Sequence, residues 1–321
     1  MAPNDGQTIA ASWNALVNDK PEDNIFEDYW FLNRLKNGEG FMSVDGGDVI
    51  TASLEYATNG TVTWYSDTET ISTTRQETFD RAEFSWKECA GSVVQSELEN
   101  AINQGSAKKF DLLDAKMRNL KSSLDSLLNA SLYSAGTGFS GKEFGGLQHL
   151  VPDDPTTGTV GGINAANFSF WRSQNASGAK TTSAFDNLRA SMRSIYNLSS
   201  NGVAGKHPKF IVTTRTVFEG YEGLLLANER FTDKSSGEGG FKNETLKFKG
   251  AMIAYDNDCP SGNMYFLNPA FIKLAYAKGH WYKGSPAVEP ANQTIKVFKV
   301  HAIANLIATN RRMLGSLDSI T

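Results

Sequence analysis

Residues 48–84 mix threonine with β-branched and aromatic residues, a pattern that favours β-strands over a helix. Within this stretch Asn59-Gly60 has the composition of a two-residue hairpin turn, and Ser66–Thr70 offers a second plausible turn. Two arms of roughly 10 residues at about 3.3 Å per residue would reach about 30–35 Å. The pattern therefore predicts a long extended β-hairpin.

A two-stranded hairpin of this length is at best marginally stable in water unless something covers it. The neighbouring sequence offers no strand run that would do so. We therefore expect another copy of the chain to be its partner. The candidate assembly residues of this extended loop are Leu54, Tyr56, Asn59, Gly60, Val62 and Trp64.

A long amphipathic helix is predicted over residues 106–134, with Ser106 as its N-cap. Its apolar residues recur every three or four positions, which places them on one face. The stripe is too short and its flanking charges too irregular for a coiled coil, so we expect a helix packed on a sheet. The predicted packing residues are Phe110, Leu113, Met117, Leu120, Leu124 and Leu127, continued by Leu128 and Leu132.

The rest of the chain alternates between helix and strand patterns without an internal repeat. Helices are predicted at 93–103, at 181–198 and after the buried strand 209–213. Further strands are predicted, and in chain order they lie at 245–255, 264–267, 271–276, 294–300 and 301–309. This is an α+β pattern.

Composition narrows the classes of function. The chain has 321 residues, 40% of them hydrophobic, and a formal net charge of −4. That balance argues against a nucleic-acid-binding protein, which needs a concentrated basic surface. The basic pairs Lys108-Lys109 and Arg311-Arg312 are predicted to lie on a solvated face or at a helix end.

Targeting and redox signals are weak. No run of 18 apolar residues predicts a membrane span, and the first 30 residues do not resemble a signal peptide. We therefore expect a cytosolic chain with Cys89 and Cys259 as free thiols, although a disulfide between them remains an alternative.

Candidate chemical motifs are few. Gly136–Gly141 matches GxGxxG but follows a predicted helix, so a connector is expected rather than a dinucleotide loop. The acidic pairs Asp153-Asp154 and Asp256–Asp258 sit among turn residues, although either could bind a cation. The four histidines and two cysteines lack metal-ligand spacing. We therefore expect no catalytic residue, cofactor or metal, with a hydrolase using dispersed carboxylates as an alternative.

The order of four segments resembles the major capsid protein of tailed bacteriophages, whose shell fold also occurs in encapsulins. The more specific part is the C-terminal third, where 245–268 looks like a strand–turn–strand unit and 291–317 like a closing strand pair. Segments 146–163 and 208–225 add weaker matches.

The resemblance implies a tailed-phage capsid fold with four parts. These are an N-terminal arm (1–47), an extended loop (48–87), a peripheral domain with a long spine helix (88–135 and 280–321) and an axial domain (136–279). It further implies self-assembly through hexamers and pentamers into an icosahedral shell around double-stranded DNA. Expected partners are a portal, a separate scaffolding protein and a decoration protein. The location would be the virion, after assembly in the host cytoplasm.

Two departures from the family pattern matter. Some members join a lysine of the extended loop to an asparagine of a neighbour, yet this sequence has no lysine between Asp48 and Trp86. Some members carry a long scaffolding segment at the N-terminus, for which an arm of 1–47 is too short, so we expect either a separate scaffolding protein or a sequence in its mature form. Three alternatives stay open: an encapsulin-like nanocompartment, a hydrolase, and a tail or decoration protein.

Overall fold

The computed structural model describes residues 29–102, 112–176, 185–200, 202, 205–226 and 246–320. The chain divides into two compact units. The smaller unit contains Ala90–Leu127 and Tyr282–His301 among the described residues. The larger unit contains Tyr29–Cys89, Leu128–Trp281 and the chain from Ala302 onwards. The predicted four-part division of the chain stays a prediction.

The helices are interspersed among runs of strands. The helices, each named here by its bounds, are α1 Trp30–Lys36, α2 Glu97–Ile102, α3 Leu112–Tyr133, α4 Leu147–Leu150, α5 Phe185–Leu198 and α6 Arg215–Leu226. The strands are β1 Phe41–Val44, β2 Val49–Glu55, β3 Phe79–Ser85, β4 Lys87–Ser96, β5 Thr159–Val160, β6 Ile163–Asn164, β7 Gln174–Asn175, β8 Phe210–Thr213, β9 Leu246–Phe248, β10 Ala251–Tyr255, β11 Met264–Leu267, β12 Ile272–Ala277, β13 Lys283–Gly284, β14 Ile295–Ala308 and β15 Gly315–Leu317.

A six-stranded mixed sheet, in the order β7-β15-β11-β8-β10-β9, forms the centre of the larger unit. All four residues of β8 are buried, because β10 pairs with it in parallel and β11 pairs with it antiparallel. The apolar face of α5, with Leu188, Met192 and Ile195, lies in the same buried cluster as Ile253 of β10. The predicted strands at 209–213 and 264–267 are confirmed.

A second sheet has the order β1-β12-β14-β13, with β4 also paired to β14. Two predictions about its strands are wrong. Two separate strands, 294–300 and 301–309, are predicted, but Ile295–Ala308 is one strand. Residues 93–103 were expected to be helical, but β4 continues to Ser96 and only Glu97–Ile102 is helical. Pairing to β14 provides the long-range hydrogen bonds that a local pattern does not reveal.

Helix α3 packs against β4 within the smaller unit. A Cβ atom on Gly91 would lie 2.4 Å from Leu120 Cδ1 and 3.8 Å from Leu124 Cδ2, so only glycine fits this approach without a shift. Leu124 is buried, while Leu113, Met117, Leu120 and Leu127 are half-buried. Phe110 lies outside the described residues. The role of this stripe in an assembly stays a prediction.

No helix in the described part of the chain is both long enough and apolar enough to cross a membrane.

Candidate assembly surface

The base of the extended loop is a regular antiparallel hairpin. Seven residue pairs join β2 to β3, from Val49 opposite Ser85 to Glu55 opposite Phe79. Side chains alternate in burial along both strands, as expected for a hairpin with one face on a core. The buried face comprises Ile50, Ala52, Leu54, Ala82 and Phe84.

This base is fixed to the body of the larger unit. The backbone N–H of Glu83 donates to the carbonyl of Gly161 at 2.9 Å, and a Cβ at Gly161 would approach Ala82 to 2.8 Å. The side-chain amide of Asn305 donates to the carbonyl of Ser85 at 2.6 Å. The hairpin therefore leaves the body as a firmly anchored pair of strands.

Regular pairing ends just beyond Glu55. The N–H of Tyr56 donates to the carbonyl of Thr78 at 3.0 Å, and residues 57–78 contain no strand. The strand register is symmetric about Asp67, which lies in a turn closed by a bond from Glu69 N to Ser66 O at 2.9 Å. The segment 57–77 is named the loop tip below.

The expectation that Asn59-Gly60 closes the hairpin as a two-residue turn is wrong. The Asn59 carboxamide oxygen instead accepts hydrogen bonds from the N–H and the hydroxyl of Thr61, at 2.9 and 2.7 Å. The N–H of Val62 also donates to the carbonyl of Asn59 at 3.4 Å, so a local turn forms here, but it does not join β2 to β3. The turn at Ser66–Thr70 agrees with the register.

The predicted assembly residues fall into two groups. Leu54 is buried in the hairpin base, and Tyr56 stacks on Phe170 with ring centroids 5.1 Å apart. Val62 is 82% exposed and Trp64 is 98% exposed, whereas such large apolar side chains are usually buried. Asn59 and Gly60 are also exposed. The structure thus leaves Asn59, Gly60, Val62 and Trp64 directed to solvent.

Further apolar side chains of the loop tip share this exposure, namely Tyr65 at 52% and Ile71 at 59%. Clustered apolar exposure is typical of interaction surfaces, and the role of these residues in an assembly stays a prediction. The loop is also acidic: residues 48–87 contain seven Asp or Glu and three Lys or Arg, a net charge of −4. The remaining residues, with 28 of each sign, are neutral overall.

The GxGxxG segment forms a tight turn in the larger unit. Phe139, Ser140 and Gly141 all have positive φ. The carboxylate of Glu143 accepts from Gly138 N at 2.7 Å and also from the Ser134 hydroxyl. A side chain of the chain itself therefore occupies the position at which a phosphate would need this amide.

The acidic pairs are engaged in local hydrogen bonds. Asp154 accepts from both the N–H and the hydroxyl of Thr156, and the bond from the hydroxyl is the main cause that lowers the pKa of Asp154. Asn129 donates to Asp256 at 3.0 Å and to Asp258 at 2.7 Å. Burial raises the pKa of Asp256. No group of three or more His, Cys, Asp or Glu among the described residues could hold a metal ion.

One arginine contradicts the prediction of solvated basic pairs. Arg311 is completely buried, whereas Arg312 is exposed. The Nε atom of Arg311 donates to the carbonyl of Leu150 at 2.7 Å, and its guanidinium lies 5.9 Å from the ring centroid of Trp171. Burial lowers its pKa to about 10. No local pattern in the sequence signals this burial, since Leu150 and Trp171 are distant in the chain. The pair Lys108-Lys109 lies outside the described residues.

No protein-family model and no curated protein sequence matches the chain. Solved structures do match it. The chain is similar to a chain of the cyanophage A-1(L) capsid, with a TM-score of 0.68 and 17% identity, over 97% of this chain and 99% of that one. It is similar to the capsid of a native GTA particle, with a TM-score of 0.64 and 13% identity, over 98% and 99%.

An encapsulin from Synechococcus elongatus PCC 7942 is also similar, with a TM-score of 0.61 and 11% identity, over 100% of this chain and 96% of that one. The predicted fold class is therefore confirmed: the chain has the α+β fold of phage capsids and encapsulins. Because a fold hosts more than one function, this likeness concerns architecture alone.

Proposed function

We propose that this chain is a structural, non-enzymatic subunit that self-assembles into an icosahedral shell, and that it serves as the major capsid protein of a tailed phage. The observation that carries the proposal is the loop tip, with Val62 82% exposed and Trp64 98% exposed at the end of an anchored hairpin. The likeness to capsids over nearly the full chain supports it.

The physical mechanism is overlap between subunits. Each loop tip would bury its apolar side chains on a second copy, at about 25 cal/mol per Å² of apolar area removed from water. Individual contacts of this kind are modest, but a closed shell makes many of them at once, and this multivalency stabilises the whole. In this arrangement hexamers and pentamers form the shell.

The net charge of the subunit bears on how the shell would hold its contents. A net charge of −4 gives the subunit no general attraction for a polyanion, so double-stranded DNA would be enclosed without being bound by sequence. The proposed partners are a portal, a separate scaffolding protein and a decoration protein. The proposed location is the virion, after assembly in the host cytoplasm. The four parts, 1–47, 48–87, 88–135 with 280–321, and 136–279, are proposed as arm, extended loop, peripheral domain and axial domain.

The experiment is negative-stain microscopy of the purified chain together with a light-scattering molar mass. We expect closed, roughly spherical particles of uniform size. A stable monomer at all concentrations and salt conditions would contradict the proposal. A ring or a trimer would indicate a tail or decoration protein instead.

A second candidate is a nanocompartment with protein cargo, which the likeness to the Synechococcus elongatus encapsulin over 100% of this chain favours. A phage capsid and a nanocompartment differ in what the shell encloses. Particles from the native source should contain nuclease-protected DNA if the chain is a capsid protein. Protein cargo with no protected DNA would identify a nanocompartment.

A further inference from the structure

One buried arginine of the larger unit has hydrogen-bond donors without acceptors. Arg311 is completely buried, and its Nε–H donates to the carbonyl of Leu150 at 2.7 Å. Its Nη1 and Nη2 atoms are also buried, and neither has a hydrogen-bond partner among the described residues. Buried polar groups in proteins are nearly always hydrogen-bonded. The donors on these two nitrogens therefore indicate a ligand that accepts from them.

The positive charge of Arg311 likewise lacks a counter-charge. Burial lowers the pKa of its guanidinium to about 10, and no carboxylate of the described residues acts in the opposite direction. The group therefore stays protonated at neutral pH. An unpaired charge is costly to bury, because the protein interior replaces little of the solvation that water supplies. A buried water could accept hydrogen bonds from Nη1 and Nη2, but only an anion would also balance the charge.

A hydroxyl group without a partner lies on the segment beside Arg311. Ser173 is buried, and its Oγ atom has no hydrogen-bond partner in the described part of the chain. The N–H of Gln174 donates to the carbonyl of Leu314 at 2.9 Å, so the segment that contains Ser173 runs next to the residues that follow Arg311. Trp171 belongs to the same segment, and its ring centroid lies 5.9 Å from the guanidinium. A hydroxyl and a guanidinium are both donors that one anion can share.

The enclosure of this group limits the size of the ligand. Arg311, Leu150 and Trp171 are each no more than 1% exposed, so the guanidinium is enclosed by the described part of the chain. A nucleic-acid phosphate or a carboxylate of a partner protein belongs to a polymer, which does not fit inside such an interior. The remaining class of ligand is a small inorganic anion that is taken up while the chain folds.

We propose that the larger unit holds one small inorganic anion, such as chloride, bound to Nη1 and Nη2 of Arg311 with the hydroxyl of Ser173 as a further donor. The Nε–H of the same arginine stays on the carbonyl of Leu150. The bound anion therefore helps to join the end of α4 to the segments that contain Ser173 and Arg311. This inference goes beyond the proposed shell function and does not depend on it.

The chloride content of the purified chain is the direct measurement. The wild-type chain is purified in sodium chloride and moved into sodium gluconate by gel filtration under native conditions. It is then denatured, and ion chromatography measures the chloride that is released. We expect chloride in an amount equimolar to the chain, because an enclosed anion leaves only when the fold opens. Gluconate is too large to replace it.

A matched pair of substitutions tests the role of the guanidinium. Arg311→Met removes the buried group, whereas Arg312→Met makes the same change of charge at the exposed neighbouring residue. The thermal midpoint is measured over a hundredfold increase in chloride, with gluconate keeping the ionic strength constant. A ligand that binds only the folded state should raise the midpoint of the wild type and of Arg312→Met by about 4 °C. The midpoint of Arg311→Met should not rise.

Two results would overturn the inference. Denatured wild-type chain that releases no chloride would show that water completes the site. The same dependence on chloride in all three chains would show a general effect of salt. If Arg311→Met does not fold, the chloride released from the wild type and from Arg312→Met decides between these outcomes. None of these results bears on the shell function, which is tested separately by the formation of closed particles.

Discussion

Glu55 lies directly opposite Phe79, and with this pair the regular ladder between β2 and β3 ends. One further bond joins Tyr56 N to Thr78 O, and beyond it the backbone pairs with no strand of the described residues. The two residues therefore mark where the chain stops stabilising its own hairpin. The loop tip beyond them is the segment for which we propose a partner.

The first prediction concerns removal of the loop tip. Replacing residues 57–77 by Asn-Gly joins Tyr56 to Thr78 through a turn suited to a two-residue hairpin. The subunit should remain folded, with a thermal midpoint close to that of the wild type, because the tip packs on little of its own chain. Closed particles should be lost in negative-stain images. Normal shells from this variant would show that the loop tip is dispensable for assembly.

The second prediction contrasts two apolar residues of the same loop. Trp64→Ala should leave the unfolding free energy of the subunit almost unchanged, since the side chain is 98% exposed. It should raise the critical concentration for assembly about tenfold, as expected for an aromatic residue at the centre of an interface. Denaturant titration and light scattering measure the two quantities.

Leu54→Ala is the matched control, with the opposite result expected. Leu54 is buried in the hairpin base, so its truncation should lower the unfolding free energy by about 2–4 kcal/mol. Equal losses of subunit stability in both variants would contradict the division between an anchored base and an available tip.

The third prediction concerns Gly146, at the start of α4. A Cβ here would lie 2.3 Å from the carbonyl oxygen of Ser131 and 2.4 Å from that of Leu132, and backbone atoms cannot rotate away. Gly146→Ala should therefore destabilise the subunit by about 2–3 kcal/mol. Chemical denaturation measures the change.

Gly223 in α6 supplies the control, because an added Cβ there meets no atom of the described residues within 4 Å. Gly223→Ala should stabilise the subunit by about 0.5–1 kcal/mol, since alanine favours a helix. The two substitutions should therefore change the free energy of unfolding in opposite directions. Destabilisation by both substitutions would show that the surroundings of Gly223 are not open.

The fourth prediction concerns pH. Burial, with a further contribution from the charge of Arg311, lowers the pKa of His149 in the folded state. In the unfolded chain it titrates near pH 6.5, so between the two values the unfolded state binds more protons and stability rises with pH. The contribution of the neutral imidazole is complete above about pH 6.5 and is lost as the pH falls towards the folded-state pKa.

The thermal midpoint should accordingly decrease when the pH is lowered from 7.5 to 5.5. His149→Gln should make this decrease smaller. Calorimetry of both chains at the two pH values measures it. An identical or larger fall in the variant would mean that other groups govern the pH dependence.

The fifth prediction concerns covalent cross-links. No lysine lies between Asp48 and Trp86, so the loop tip has no amine to join to a neighbour's asparagine. Denaturing gels of mature particles should show this subunit as a free chain at 35 kDa. A ladder of higher bands would instead point to another residue. Lys87, whose ammonium lies 2.6 Å from the Gly141 carbonyl oxygen, would then be tested first, with Lys87→Arg as the variant.

The amino-acid sequence by itself determined the local elements. Strand-forming composition in 48–84 was enough to predict an extended hairpin, and the three-to-four spacing of leucines was enough to predict the long helix α3. Each of these patterns depends only on neighbours in the chain. The order of the predicted helices and strands then indicated the α+β class.

Tertiary structure alone decided features that depend on distant residues. The composition of Asn59-Gly60 predicts the turn of the hairpin, yet the register between β2 and β3 is centred on Asp67. Residues 93–96 become a strand because β14 supplies backbone partners, and Arg311 is buried because Leu150 and Trp171 surround it. Hydrogen-bond partners and burial are set by contacts between segments remote in sequence, and a local pattern contains no information about them.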